Sequence, residues 1–316
     1  MRKTVPLLLA FLAGCGVMPE PNAADAGANV EVTATVAFTE GPTVDAAGNV
    51  YFTETTSRRI MKLSPAGELT TFREKSGGAN GLIFDELWRL VACEGQAGRV
   101  TRTDMKTGEI EVLAETFQDK RLNAPNDITL DGKGRLYFTD MARPNPPAGV
   151  TDVSGVYRID LDGKVSRILA VPEIERPNGI VVSPDDRTLY LIEANQAQGG
   201  ARMIRGYDLQ PDGTVRNMRV HYNFYPGRSA DGMTIDTAGN IHAAAGLNRR
   251  RGTSETLDTK CGIHVISPAG KLLRFFPIPE DTLTNCAFGG PDMKTLYVTA
   301  GKTIFKIRTD IAGTRR

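Results

Sequence analysis

Six segments of this chain repeat one pattern, and a repeat of this length limits the possible folds more than any other feature of the sequence. They are TEGPTVDAAGNVYFTET from Thr39, ANGLIFDELWRLVACEG from Ala79, PNDITLDGKGRLYFTDM from Pro125, PNGIVVSPDDRTLYLIEA from Pro177, ADGMTIDTAGNIHAAAG from Ala230 and TNCAFGGPDMKTLYVTAG from Thr284. Each begins with a polar residue and runs along an apolar strand into a turn built on Asp, Gly or Pro. It then returns along a second strand ending in small or acidic residues. The leading polar residues, Glu40, Asn80, Asn126, Asn178, Asp231 and Asn285, lie 40, 46, 52, 53 and 54 positions apart. That period accommodates the four strands and three turns of one propeller blade.

Gly-bearing hairpins such as RIMKLSPAGELTTF and GVYRIDLDGKVSRILA fill the gaps between repeats and supply the outer strands. After the last repeat only three strands' worth of chain remains. The stretch VEVTATVAF (30–38) is therefore expected to add the missing outer strand and close the ring, which removes an exposed edge. The resulting expectation is an all-β fold: a six-bladed β-propeller of four-stranded antiparallel blades over residues 30–316. The innermost strands of a propeller surround a central channel, so the six leading residues should converge there.

Charge excludes some functions. Lys and Arg number 38 against 37 Asp and Glu, with no long basic run, so the footprint of a nucleic-acid binder is missing. At the start, Arg2 and Lys3 precede the apolar run VPLLLAFLAG, too short to span a bilayer but suited to an export signal over residues 1–15. It ends in Leu12-Ala13-Gly14-Cys15, which resembles a bacterial lipobox. The expectation is export to the cell envelope or periplasm, with membrane contact only through acyl chains on Cys15 and a flexible tether over residues 16–29. Cys93, Cys261 and Cys286 remain, so at most one disulfide can form. Cys261 with Cys286 is the better pairing if one forms, and three buried free thiols are an equally good reading.

The converging residues suggest a ligand. Glu40, Asn126, Asn178 and Asp231 offer two charged and two neutral oxygen donors, which suits one hard divalent cation such as calcium, with magnesium or manganese also accepted. Zinc fits less well, because none of the three histidines, His221, His242 and His264, leads a repeat. An ion with few protein ligands keeps positions open to polarise a carbonyl or phosphoryl oxygen, while a neighbouring carboxylate deprotonates water. By register Asn80 and Asn285 belong to the same ring and, with Asn126, are candidates for substrate contact. Glu54, Glu94, Asp140 and Glu193 recur at the ends of second strands, where they can recognise hydroxyls or support the ligands, Glu94 being the choice for substrate. Carboxylates at strand ends are more commonly solvated or in local hydrogen bonds. No G-x-S-x-G, P-loop or dinucleotide fingerprint is present, which removes covalent serine catalysis and nucleotide chemistry.

EGP at Glu40, RLNAPNDITLDGKGRLYFTD around Asn126, RPNGIVVSPDDRTLY around Asn178, ADGMTID at Asp231, GIHVISPAGKLL and TNCAFGGPDMKTLYVTAG together resemble the gluconolactonase, senescence-marker-protein and luciferin-regenerating-enzyme family. The likeness runs from about residue 36 to 309 and is strongest to the bacterial gluconolactonase branch, in which K-R-L-N-x-P-N-D and T-N-C-A-F-G-G are typical. The resemblance implies a six-bladed propeller with a catalytic divalent ion, commonly calcium, that hydrolyses sugar-acid lactones. It implies Glu40, Asn178 and Asp231 as ligands of the ion, Asn126 as a further ligand or substrate contact, and Asp231 as general base. Two departures bear on substrate. Several relatives carry an arginine where this chain has Ala124, and EGQAGRV lacks the histidine and second arginine of the branch's EHGNRR-like stretch. Alternative readings are hydrolysis of phosphotriesters or fluorophosphates on the same ion, or a surface-anchored propeller that binds without catalysis.

Overall fold

The computed structural model describes residues 30–315. The proposed signal, Cys15 and the tether lie outside the described residues. Those described contain no helix and form six four-stranded antiparallel sheets, with one small extra hairpin over residues 116–121. Blades 1 to 5 cover 39–73, 79–114, 125–170, 177–223 and 230–277, each a meander from inner to outer strand. Blade 6 takes three strands from 283–308, and its outermost strand is Glu31–Thr35, antiparallel to Thr303–Arg308. The ring is thus closed by the N-terminal strand, as the strand count required. Glu31 and Lys306 form an ion pair across this seam at 2.9 Å.

The turn residues explain the regularity. At the turn between the first and second strands of blades 1 to 5, a carboxylate or hydroxyl accepts a hydrogen bond from the backbone N–H four or five positions on: Asp45, Asp85, Asp131, Ser183 and Asp236 all do so. Such Asx and Ser turns mimic a backbone turn, and this is why the repeats carry Asp or Ser followed by Gly or Asp at those points. Apolar strand faces then pack between blades. Cys93 and Val91 of blade 2 lie with Ile128 and Phe138 of blade 3, and Tyr137 of blade 3 lies with Ile180 and Leu191 of blade 4.

At the axis the inner strands touch their neighbours on both sides, and blade 6 touches blade 1. Every inner strand carries a bulge there: the pairing shifts between Glu40 and Thr43, Ala79 and Leu82, Pro125 and Ile128, Pro177 and Ile180, Ala230 and Met233, and Leu283 and Asn285. A bulge bends the strand and re-aims a side chain. The residue at the bulge is Gly41, Gly81, Asp127, Gly179, Gly232 or Asn285, and successive members lie against one another. A Cβ on Gly41 would sit 2.0 Å from the Asn80 carbonyl oxygen, one on Gly179 would sit 2.9 Å from the Gly232 Cα, and one on Gly232 would sit 2.1 Å from Asn285 Cγ. The glycines that follow Glu40, Asn80, Asn178 and Asp231 are therefore sites of close approach between neighbouring inner strands.

This register corrects one sequence assignment. Leu283 pairs with Ala300 as Ala79 pairs with Glu94, so the sixth member of the leading ring is Thr284, and Asn285 belongs one layer deeper with the glycines. Of the two readings of the cysteines, the three buried thiols hold and the Cys261–Cys286 pairing does not: Cys93, Cys261 and Cys286 are free and buried. Burial pushes the Cys261 thiol up to about 12 and holds those of Cys93 and Cys286 well above their ordinary range.

Gly232→Ala should cost about 3 kcal/mol in denaturant unfolding, whereas Gly252→Ala, which meets nothing within 4 Å, should be nearly neutral. The three buried thiols should resist a disulfide reagent at pH 8 in the native protein and react fully once it is unfolded.

Candidate active site at the channel mouth

The five leading residues Glu40, Asn80, Asn126, Asn178 and Asp231 are all half-buried between fully buried neighbours, the pattern of side chains facing a channel. Glu40, Asn80 and Asn126 line a cavity of about 600 Å³ that opens on this face, with Gln96, Arg143, Arg176 and Asn195 around it. Asn178 and Asp231 meet directly, Asn178 Nδ2 donating to Asp231 Oδ1 at 2.7 Å. Glu40 is within electrostatic reach of both Asp231 and Asp127.

The electrostatics are those of carboxylates short of positive charge. Burial, then the charges of Asp231 and Asp127, push the Glu40 carboxyl well above its ordinary range, and its closest partner is the N–H of its own neighbour Gly41 at 3.4 Å. Asp231 is raised by burial and pulled back by Arg228, whose Nη2 donates to Asp231 Oδ2 at 2.6 Å and to the Leu283 carbonyl at 3.0 Å. Among the described residues no cluster of three or more His, Cys, Asp or Glu side chains is placed for a metal. Any ion at the mouth must therefore draw on asparagine amides beside Glu40 and Asp231. That set of hard oxygen donors, with an under-compensated Glu40 carboxylate, fits a divalent cation of the calcium type. The Asn178 amide orientation follows from its hydrogen bond, and turned over it presents oxygen to the same point.

Beneath the leading ring lies a floor. Asp127 of blade 3 and Asn285 of blade 6, the two bulge residues other than glycine, stand across the axis and join, Asn285 Nδ2 donating to Asp127 Oδ1 at 3.3 Å. The Ile180 N–H donates to Asp127 Oδ2 at 3.3 Å. Burial lifts the Asp127 carboxyl to about 7. Asn285 is thus held away from the mouth and lines a separate cavity of about 500 Å³ on the other face, together with Asp127.

Glu94 also has a different position from the one expected. It is fully buried, its carboxylate held by Arg73, Arg99 and Thr101, and it does not line the mouth cavity. Glu54, Asp140 and Glu193 are buried as well, and two of them brace the ring. Asp140 accepts hydrogen bonds from the N–H groups of Asn123 and Ala124 at 3.0 and 2.5 Å, just before Asn126. Glu193 accepts from those of Glu175 and Arg176 at 3.0 and 2.7 Å, just before Asn178. Burial leaves both carboxyls raised, opposed for Glu193 by the Arg205 charge and then these hydrogen bonds and for Asp140 by the hydrogen bonds, so each acts as an anchor for the chain entering an inner strand. Sequence reasoning missed Asp127 and Arg228, while Asp140 and Glu193 take the local hydrogen-bonding role that was the commoner reading for carboxylates at strand ends. The one available signal was Asp127 standing where four other repeats have glycine.

Comparison with known proteins agrees with this architecture. The profile of the SMP-30/Gluconolactonase/LRE-like region matches residues 38–302. A gluconolactonase of Zymomonas mobilis is 28% identical over 92% of this chain and 83% of its own. A regucalcin of Oryctolagus cuniculus is 25% identical over 82% of this chain and 81% of its own. Among solved structures, a gluconolactonase of Xanthomonas campestris superposes with a TM-score of 0.75 at 25% identity, covering 90% of each chain.

Asp140→Asn would turn an amide N–H toward the donors of Asn123 and Ala124. It should cost about 2 kcal/mol of stability and lower turnover at the mouth, as read by thermal unfolding and by lactone hydrolysis.

Proposed function

The chain belongs to the SMP-30/gluconolactonase/LRE-like family, and from that premise we propose that it is a lactonase opening sugar-acid lactones at the channel mouth. Glu40, Asn178 and Asp231 would hold a divalent cation, calcium first among the candidates, with Asn126 and Asn80 facing the substrate. The observation that carries this reading is the meeting of Asn178 with Asp231 beside a Glu40 carboxylate that has no cationic hydrogen-bond partner. Two gluconolactonases align along most of the chain and support this reading.

When bound, the cation would supply Lewis-acid polarisation of the lactone carbonyl and neutralise the two carboxylates. Asp231 accepts the proton of the attacking water at Oδ1, while Arg228 holds Oδ2 and fixes the plane of the carboxylate. As the water oxygen bonds to the carbonyl carbon, the ring C–O bond breaks. The departing alkoxide takes the proton back from Asp231, leaving a hydroxy acid. Asn80 and Asn126 offer amide donors and acceptors to the sugar hydroxyls from the cavity wall. Placement in the envelope through an acylated Cys15 belongs to the same proposal and rests on residues 2–15 of the sequence.

Purified protein should hydrolyse glucono-1,5-lactone and lose that activity on chelation, with recovery on adding calcium. Asp231→Ala should lower kcat by about a thousandfold. Asn285→Ala, in the floor, should lower it less. Chelator-insensitive turnover, or faster hydrolysis of an aryl phosphotriester than of the lactone, would refute the proposal.

A further inference from the structure

Two guanidiniums overlook the mouth cavity without a carboxylate to answer them. Arg143 stands on the long blade 3 loop between Leu136–Asp140 and Gly155–Ile159, where its backbone N–H donates to Asn123 Oδ1 at 3.2 Å, and the only hydrogen bond of its guanidinium among the described residues is from Nη2 to the Gly95 carbonyl, 2.6 Å. Arg176 stands two residues before Asn178, on the segment that Glu193 anchors, and its side chain has no hydrogen-bond or ion-pair partner among the described residues. Both are exposed and both line the cavity. Of the acidic residues on that wall, Glu175 is turned to the Asn195 amide and the Ala201 N–H at 2.8 Å each, and Glu40 lies in the ring below. The cavity therefore has the Glu40 carboxylate at its base, where a lactone carbonyl would react, and uncompensated positive charge at its rim.

We propose that this cavity selects lactones bearing an anionic group, a carboxylate or a phosphate monoester, at the end remote from the reacting carbonyl, with Arg143 and Arg176 as its receptors. The proposal rests on the lactonase reading and adds the substrate class. Arginine suits the task because its planar fork meets carboxylate and phosphate oxygens in pairs, and its charge does not vary with pH. In a six-carbon lactone the carbonyl is C1 and the terminal substituent sits on C6, the far end of the carbon chain, on an arm that leaves the ring beside its oxygen, so an anion borne there can extend toward the rim while the carbonyl lies at the base. The arginine missing at Ala124 is not required for this. Arg176 holds the matching position one blade further on, and Arg143 reaches in from the loop beside it.

The test compares glucono-1,5-lactone, its 6-phosphate and a glucarolactone on the wild type, Arg143→Gln, Arg176→Gln and the double variant. Binding of gluconate, 6-phosphogluconate and glucarate is measured by calorimetry on the same proteins. Expected is a kcat/KM preference of about a hundredfold for an anionic lactone, residing in KM. Each single variant should reduce it about tenfold and the double variant should abolish it, while the neutral lactone falls less than about threefold and thermal midpoints hold. Preference for the phosphate or for the carboxylate alone identifies which anion is read. Equal handling of neutral and anionic lactones, or a preference that survives the double variant, overturns the proposal. Absence of all lactone turnover would refute the lactonase reading, and the calorimetric difference between charged and neutral acids would still decide whether the arginines form an anion receptor.

Discussion

Backbone meeting backbone at the axis is the constraint on which the rest of this structure depends. Six strands can converge on one channel only if something small stands at the tightest level, and Gly41, Gly81, Gly179 and Gly232 fill four of those places. With the strands that close, the residue immediately before each bulge is directed into the channel. The ring of Glu40, Asn80, Asn126, Asn178 and Asp231 is thus a consequence of packing before it is a site. Catalytic potential follows, because buried oxygen donors gathered around one point carry a large desolvation cost unless charge is supplied to them.

The carboxylates of this molecule divide by what answers them. Glu94 has two arginines and a threonine, Glu193 has two N–H groups and Arg205, and Asp140 has two N–H groups and Thr151. These are structural groups, compensated within the protein. Asp231 is half-compensated by Arg228, and Glu40 is barely compensated at all. Residual charge, more than burial or position, separates a group that can bind something from one already engaged.

Much of this was legible in the sequence. Blade number, strand count, the closing strand and the membership of Glu40, Asn80, Asn126, Asn178 and Asp231 in one ring follow from a repeat whose period and register are set by local turn chemistry. Asn285 was misplaced by one layer because TNC offers asparagine where other repeats have glycine, and only the strand pairing of Leu283 with Ala300 shows which residue leads. Glu94 was misjudged for a related reason. Its register says it stands at a strand end, but its partners Arg73 and Arg99 come from other strands of the same region and cannot be assigned to it from spacing. The contact between Asp127 and Asn285 joins positions 158 residues apart, beyond the reach of any local rule.

That cross-axis contact gives the channel the form of two blind wells. The cavity of the leading ring and the cavity of the opposite face share no lining residue, and Asp127 with Asn285 forms the partition. Whatever enters the upper well must depart by the same doorway, so an incoming molecule and an outgoing one compete for a single passage, and residence of the acid formed would throttle the next turnover.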